Sequence, residues 1–135
     1  MARYNALLMD HFLHPRGVGD LVNPTAEARA ENQACGDQLQ LQLRIAGGKV
    51  VDARFRAMGC TGAIAASSFL TEWLVGRTLE EAGAQTGETL AAAMGGLPAG
   101  KGHCAALAHE ALATCLKSSP AYHPLVPRNQ DDRSR

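Results

Sequence analysis

Two segments of strict two-residue alternation, a small-residue strand before them, and helical apolar stripes at both ends of the chain predict an α+β fold. The expected architecture is a small antiparallel three-stranded sheet packed against several helices. In one alternating segment Leu39, Leu41, Leu43 and Ile45 interleave with Gln38, Gln40, Gln42 and Arg44; in the next Val51, Ala53, Phe55 and Ala57 interleave with Asp52, Arg54 and Arg56. Each reads as a strand with one buried face. With 135 residues, 46% hydrophobic and 19% charged, the chain has room for one core. We expect a single domain over residues 1–120 and a flexible, Pro-containing, charged tail over 121–135.

The elements follow in order. Tyr4, Leu7, Leu8, Met9 and Phe12 make a helical stripe that Pro15 and Gly17 stop. The run Ala26-Glu27-Ala28-Arg29-Ala30-Glu31 alternates small and charged residues, which suits a strand lying close to something bulky. Both apolar sets of the following hairpin occupy odd positions, so they share a face only if an odd number of residues connects the strands. Ala46-Gly47-Gly48 is the expected loop. That register pairs 45 with 49, 43 with 51 and 39 with 55, and by extrapolation sets 35 opposite 59, so that Cys35 meets Cys60 at the far end of the hairpin.

A helix is expected over residues 62–75, with Ile64, Ala65, Phe69, Trp73 and Leu74 apolar and Gly76 closing it. Thr78-Leu79-Glu80-Glu81 has the pattern of a capping box and starts a short helix. Another turn or two is expected over 90–94, then a loop over 97–102. The last helix carries Cys104, Leu107, Ala108, Ala111, Leu112 and Cys115 on one buried stripe.

Formal net charge is zero and no Lys/Arg block stands out, which argues against capture of nucleic acid or of an anionic membrane. No run approaches the roughly 18 apolar residues of a membrane span, and residues 1–10 are too short and polar for a signal-peptide core. The expected location is the cytoplasm. There, four cysteines are thiols or metal thiolates rather than disulfides.

Three of those cysteines sit in short words at the ends of elements: Ala34-Cys35-Gly36-Asp37, Met58-Gly59-Cys60-Thr61 and Gly102-His103-Cys104-Ala105. Glycine permits close backbone approach, and thiol, carboxylate and imidazole are donors for a soft or borderline metal. Cys60 and Cys104 stand at helix N-termini, where the helix dipole is expected to favour thiolate. Asp37 reads equally well as a turn cap or an oxygen ligand, and His103 as a helix-start residue or a nitrogen ligand. Cys115, inside a helical stripe, reads as a small buried hydrophobe. His11, His14, His109 and His123 read as surface or packing residues, and Arg54 with Arg56 as a solvated strand face. Three thiolates completed by oxygen or nitrogen could hold zinc or iron and sulfide, and an oxygen ligand would grip iron less firmly than a fourth thiolate.

At these residues the chain resembles the iron-sulfur cluster assembly scaffolds of the IscU and NifU N-terminal type, IscU-like branch. Asp10-His11-Phe12 with His14-Pro15-Arg16 is similar to that family's opening D-H-[FY]-x-x-P-R. Ala34-Cys35-Gly36-Asp37, Asp52-Ala53-Arg54-Phe55, Gly59-Cys60, Ala63-Ile64-Ala65, Thr78-Leu79-Glu80-Glu81-Ala82 and His103-Cys104 follow in the family's order. The resemblance implies the NifU/IscU-type scaffold fold, with the three cysteines at one exposed end. It also implies a function: transient assembly of a [2Fe-2S] cluster from Fe2+ and persulfide sulfur, then transfer to apo iron-sulfur acceptor proteins.

By the same resemblance the partners are a cysteine desulfurase, an iron donor, an electron donor and the acceptors, and the chain is a scaffold and sulfur acceptor rather than an enzyme. Carried over, Cys35, Cys60 and Cys104 are ligands, Cys104 is the persulfide acceptor, Asp37 the labilising ligand and His103 an alternate one. Lys101 assists charge balance, and Zn2+ can occupy the site in the isolated protein. The alternative role is a zinc-bound sulfur-transfer partner of the desulfurase.

Where relatives that use a DnaK-like chaperone carry L-P-P-V-K, this chain has Leu97-Pro98-Ala99-Gly100-Lys101, which puts dependence on such a chaperone in question. The short stretch between Cys60 and Cys104, with His103 present, argues against the SufU-type branch.

Overall fold

A computed structural model describes residues 3–119, so the expected tail over 121–135 and His123 lie outside the described residues. The chain runs α1 (Ala6–Leu13), β1 (Ala26–Asn32), β2 (Asp37–Ala46), β3 (Lys49–Met58), α2 (Thr61–Leu74), α3 (Leu79–Gly83), α4 (Gly87–Ala93) and α5 (Gly102–Ser118). The strands form one antiparallel sheet in the order β1-β2-β3, the predicted α+β class. One face is covered by helices: α5 lies along β1 and β2, and α2 packs on β3 and α5. Ala26, Ala28 and Ala30 are buried beneath α5 while Glu27, Arg29 and Glu31 point out. The small residues let the helix come close. Leu39, Leu41, Leu43, Leu70, Leu74, Leu107, Leu112 and Leu116 fill the space between sheet and helices.

The hairpin keeps the expected faces by a different device from the expected loop. Ala46 pairs with Lys49, so the turn is the two residues Gly47-Gly48, whose φ angles of 61° and 74° are the left-handed values a tight hairpin turn needs. An extra residue is then absorbed by a bulge: Arg44 pairs with Asp52 but Ile45 with Val50, leaving Val51 unpaired. Val50 takes the inward place predicted for Val51; it is fully buried, whereas Val51 is 47% exposed. From Leu43↔Ala53 onward the alternation proceeds as predicted, but every partner on β3 lies two residues further along than the three-residue loop would give.

The opening Asp10-His11-Phe12…Pro15-Arg16-Gly17 segment fastens α1 to α2 and seals the free edge of β3. Gly17 O accepts from Phe55 N at 2.7 Å and Gly19 N donates to Phe55 O at 3.0 Å. Thr71 Oγ1 donates to Arg16 O, and Arg16 N donates to Ser68 Oγ at 2.8 Å. A Cβ at Gly17 would lie 2.6 Å from Thr71 Oγ1, and its φ is +79°, so glycine is required on both counts. His11, 1% exposed, is a packing residue: Nδ1 lies 2.7 Å from Ser68 Oγ and Nε2 3.2 Å from Glu72 Oε1. Because the Glu72 carboxylate only accepts, Nε2 carries the hydrogen of the neutral ring and donates to it, which leaves Nδ1 to accept from the Ser68 hydroxyl.

Burial, reinforced by the Arg16 charge and opposed by Glu72 and Asp10, holds the His11 pKa below its ordinary 6.5. The unfolded chain therefore takes up the proton first. The stabilisation is fully present above about pH 6.5 and is lost as pH falls through the lowered folded value. We expect the melting temperature to drop between about pH 7.5 and about pH 5.5, and the His11→Gln variant to lose part of that slope in a calorimetric pH series.

Candidate metal and sulfur site

The β1–β2 turn, the N-terminus of α2 and the N-terminus of α5 meet at one end of the sheet. In the turn, Asn32 O accepts from Cys35 N at 3.2 Å and from Gly36 N at 2.8 Å, and Asn32 Oδ1 accepts from Ala34 N. Gly36 has φ of 74°, the conformation that closes such a turn without a Cβ clash. Cys35 is thereby left exposed, while Asp37, the first residue of β2, turns inward and is 1% exposed.

The observed register changes which residues face one another. Gln38 pairs with Met58, so continuing the ladder sets position 37, not 35, opposite 59. Asp37 consequently lies beneath Gly59-Cys60: Cys60 N donates to Asp37 Oδ1 at 3.1 Å, and Asp37 Oδ2 lies 3.8 Å from Cys60 Sγ. The expected direct opposition of Cys35 and Cys60 gives way to one between Asp37 and Cys60, because the two-residue turn and bulge displace the strands. Gly59, with φ of +153°, has room only for hydrogen, since a Cβ there would be 2.2 Å from Asp37 Oδ1. Asp37 thus both caps the start of α2, where Cys60 is the N-cap residue, and keeps its second oxygen directed at thiol and imidazole.

From α5, Cys104 brings its Sγ to 3.8 Å from Cys60 Sγ, far beyond the ~2.05 Å of a disulfide; both are free thiols. His103 Nε2 is 3.6 Å from Asp37 Oδ2, too long for a hydrogen bond, and that buried nitrogen has no hydrogen-bond partner among the described residues. Two overlapping groups result. The ligand atoms of Cys60, His103 and Cys104 all lie within 4.8 Å of one another, and so do those of Cys35, Asp37 and His103. All five residues read from the sequence come together, with His103 common to both groups. Three sulfurs, a carboxylate and an orphaned imidazole nitrogen at this separation fit a zinc ion or a small iron-sulfide unit.

The helix-start position does not make Cys104 a ready thiolate. Burial, with Cys60 and Asp37 adding to it, pushes its thiol up to about 12, so desolvation outweighs the helix dipole in this 1%-exposed site. Cys115 is likewise held up at about 12 by burial and points its thiol at Leu41 O, the inert core role predicted for it.

Sequence reading missed the neighbours that shape the site. Tyr4, read as part of the first helical stripe, precedes α1 and stands over Gly62. A Cβ on Gly62 would be 2.6 Å from Cys104 Sγ and 2.9 Å from Tyr4 Oη. The signal was the glycine pair flanking Cys60-Thr61, whose need for close approach is visible only once the third element is in place. None of the five donors lines the cavity of about 770 Å³ bounded by Arg29, Glu31, Gln38, Gln40, Arg56 and Met58 among others. No helix among the described residues is long and apolar enough to cross a membrane.

The architecture and the site define a class: a small α+β domain that gathers thiol, carboxylate and imidazole groups able to hold a metal ion at one end. The chain matches the NifU-like N terminal domain over residues 3–123, and it belongs to that family. It is 38% identical over 109 residues to the "Iron-sulfur cluster assembly scaffold protein IscU 1" of Archaeoglobus fulgidus, covering 81% of this chain and 71% of that protein. It is also 38% identical over 117 residues to the "Iron-sulfur cluster assembly scaffold protein IscU" of Haemophilus influenzae, covering 84% and 92%. Among solved structures, the N-terminal NifU-like protein of Brucella abortus superposes with a TM-score of 0.68 at 21% identity, covering 84% of this chain and 92% of that one. This last likeness speaks to the fold.

Proposed function

We propose that this chain is a scaffold on which a transient [2Fe-2S] cluster is built and from which it is handed to apo-acceptor proteins. The observation that carries the proposal is the pair of overlapping donor groups joined at His103, with a buried carboxylate among the thiols. Asp37 already spends Oδ1 on Cys60 N, so its hold on iron through Oδ2 competes with its place in the fold. A carrier must release its cargo, and the mixed donor set suits release better than four thiolates would.

In this reading Cys104 accepts sulfur. Its thiol, giving up its proton as it attacks, bonds to the outer sulfur of a persulfide on a cysteine desulfurase; the sulfur–sulfur bond of that persulfide breaks, and the desulfurase sulfur leaves and takes the proton. Cys104 then carries the persulfide, with no net oxidation or reduction. Converting that sulfur to sulfide takes two electrons, which an external electron donor supplies, and an iron donor brings Fe2+. Cys35 and Cys60, one exposed and one half-buried, hold iron, and His103 offers an alternate nitrogen.

The second reading, a zinc-bound sulfur-transfer partner of a desulfurase, draws on the unpartnered His103 Nε2, which suits Zn2+ as well as iron. Anaerobic incubation with Fe2+, a desulfurase, cysteine and reductant separates the two. The scaffold gains visible cluster absorption and activates an apo-ferredoxin. A protein that stays colourless while binding Zn2+ tightly overturns the scaffold reading in favour of the second.

A further inference from the structure

Cys104 is the most deeply enclosed of the three site cysteines, at 1% exposure, while Cys35 is exposed. A sulfur acceptor has to meet a persulfide borne by another protein, so something must uncover it. One side of the thiol is closed by the backbone of Gly62, and the Tyr4 phenol leans on the same spot: a Cβ on Gly62 would be 2.6 Å from Cys104 Sγ, 2.9 Å from Tyr4 Oη and 3.1 Å from Tyr4 Cε1.

Tyr4 is held there by the next residue. Asn5 Oδ1 accepts from Leu8 N at 2.9 Å as the N-cap of α1. Its Nδ2 donates to Met94 O at 2.9 Å and Gly96 O at 3.1 Å. Gly95, with φ of +85°, is tight against this contact, since a Cβ there would lie 2.9 Å from Nδ2. Asn5 therefore clips the start of the chain to the end of α4, and α1 beyond it is fastened separately through His11 and Ser68.

We infer that Tyr4 is a removable cover over Cys104: rotation of the chain ahead of the Asn5 clip swings the phenol off Gly62 and opens the thiol without displacing α1. The inference rests on the reading of Cys104 as the sulfur acceptor, and it makes Tyr4 an access-determining residue, not a ligand.

Alkylation of the full-length, metal-free protein by iodoacetamide, followed cysteine by cysteine in the mass spectrometer, tests the cover without requiring cluster assembly. Tyr4→Ala is expected to raise the Cys104 rate about tenfold or more, leaving exposed Cys35 and core Cys115 at wild-type rates. A Cys104 rate within about twofold of wild type overturns the cover, and so does a parallel rise at Cys115, which would mean general loosening. Failure of the scaffold reading shows separately, as Tyr4→Ala protein that takes no sulfur from a desulfurase although its Cys104 reacts rapidly with iodoacetamide.

Discussion

Asp37→Ala is expected to lengthen the lifetime of an assembled cluster by about tenfold or more, read as the decay of visible absorption under air or in the presence of an apo-acceptor. The reason is local. With the carboxylate removed, His103 Nε2, now 3.6 Å from Asp37 Oδ2 and without a hydrogen-bond partner, is free to take the same coordination position. A neutral imidazole suits iron better than a carboxylate does, and it adds no negative charge to three thiolates. The substitution also removes the acceptor of Cys60 N, so the apo protein should lose about 1–2 kcal/mol of stability. The two effects have opposite signs, which makes the experiment discriminating. A longer-lived cluster on a less stable protein supports the labilising role, and faster cluster loss than wild type contradicts it.

Gly59→Ala is expected to damage fold and site together. The residue has φ of +153°, and an added methyl would stand 2.2 Å from Asp37 Oδ1 and 2.8 Å from Asp37 Cγ. Neither atom can yield cheaply, because Oδ1 is bonded to Cys60 N and the carboxylate is buried. We expect a loss of about 2 kcal/mol or more in denaturant unfolding, together with a clear fall in Zn2+ affinity of the isolated protein. A comparison at Gly47, where a Cβ would meet nothing within 4 Å although φ is +61°, isolates the backbone cost from the displacement of Asp37. Should Gly47→Ala and Gly59→Ala destabilise equally with Zn2+ affinity unchanged, the close packing at Gly59 has no role in shaping the site.

Much of the architecture was legible in the chain because it depends on local rules. Alternation over β2 and β3 identified two half-buried strands, the Thr78/Glu81 capping box forms as its pattern implied, and the stripe from Cys104 to Cys115 is buried as a stripe. Register was another matter. A three-residue loop and a two-residue turn followed by a bulge place almost the same side chains on the same face, so the apolar pattern cannot distinguish them. The difference moves the end of the hairpin by two residues, enough to set Asp37 rather than Cys35 against Cys60.

The five candidate donors that the structure brings together, Cys35, Asp37, Cys60, His103 and Cys104, were readable from residue types and their positions at element ends. Their chemistry was only partly so. The helix dipole at Cys104 is a property of the helix, and sequence locates it; the burial that raises its thiol pKa, and the neighbouring Cys60 and Asp37 that add to the rise, come from other elements. Tyr4 and Asn5 were invisible as site residues for the same reason, since their partners lie in α2 and beyond α4. What the sequence by itself determined is which groups this protein can offer and which elements carry them, because periodicity, caps and turns act over a few residues. Only the tertiary structure decided which donors face one another, which thiol is covered and what each must displace, because burial and contact belong to segments far apart in the chain.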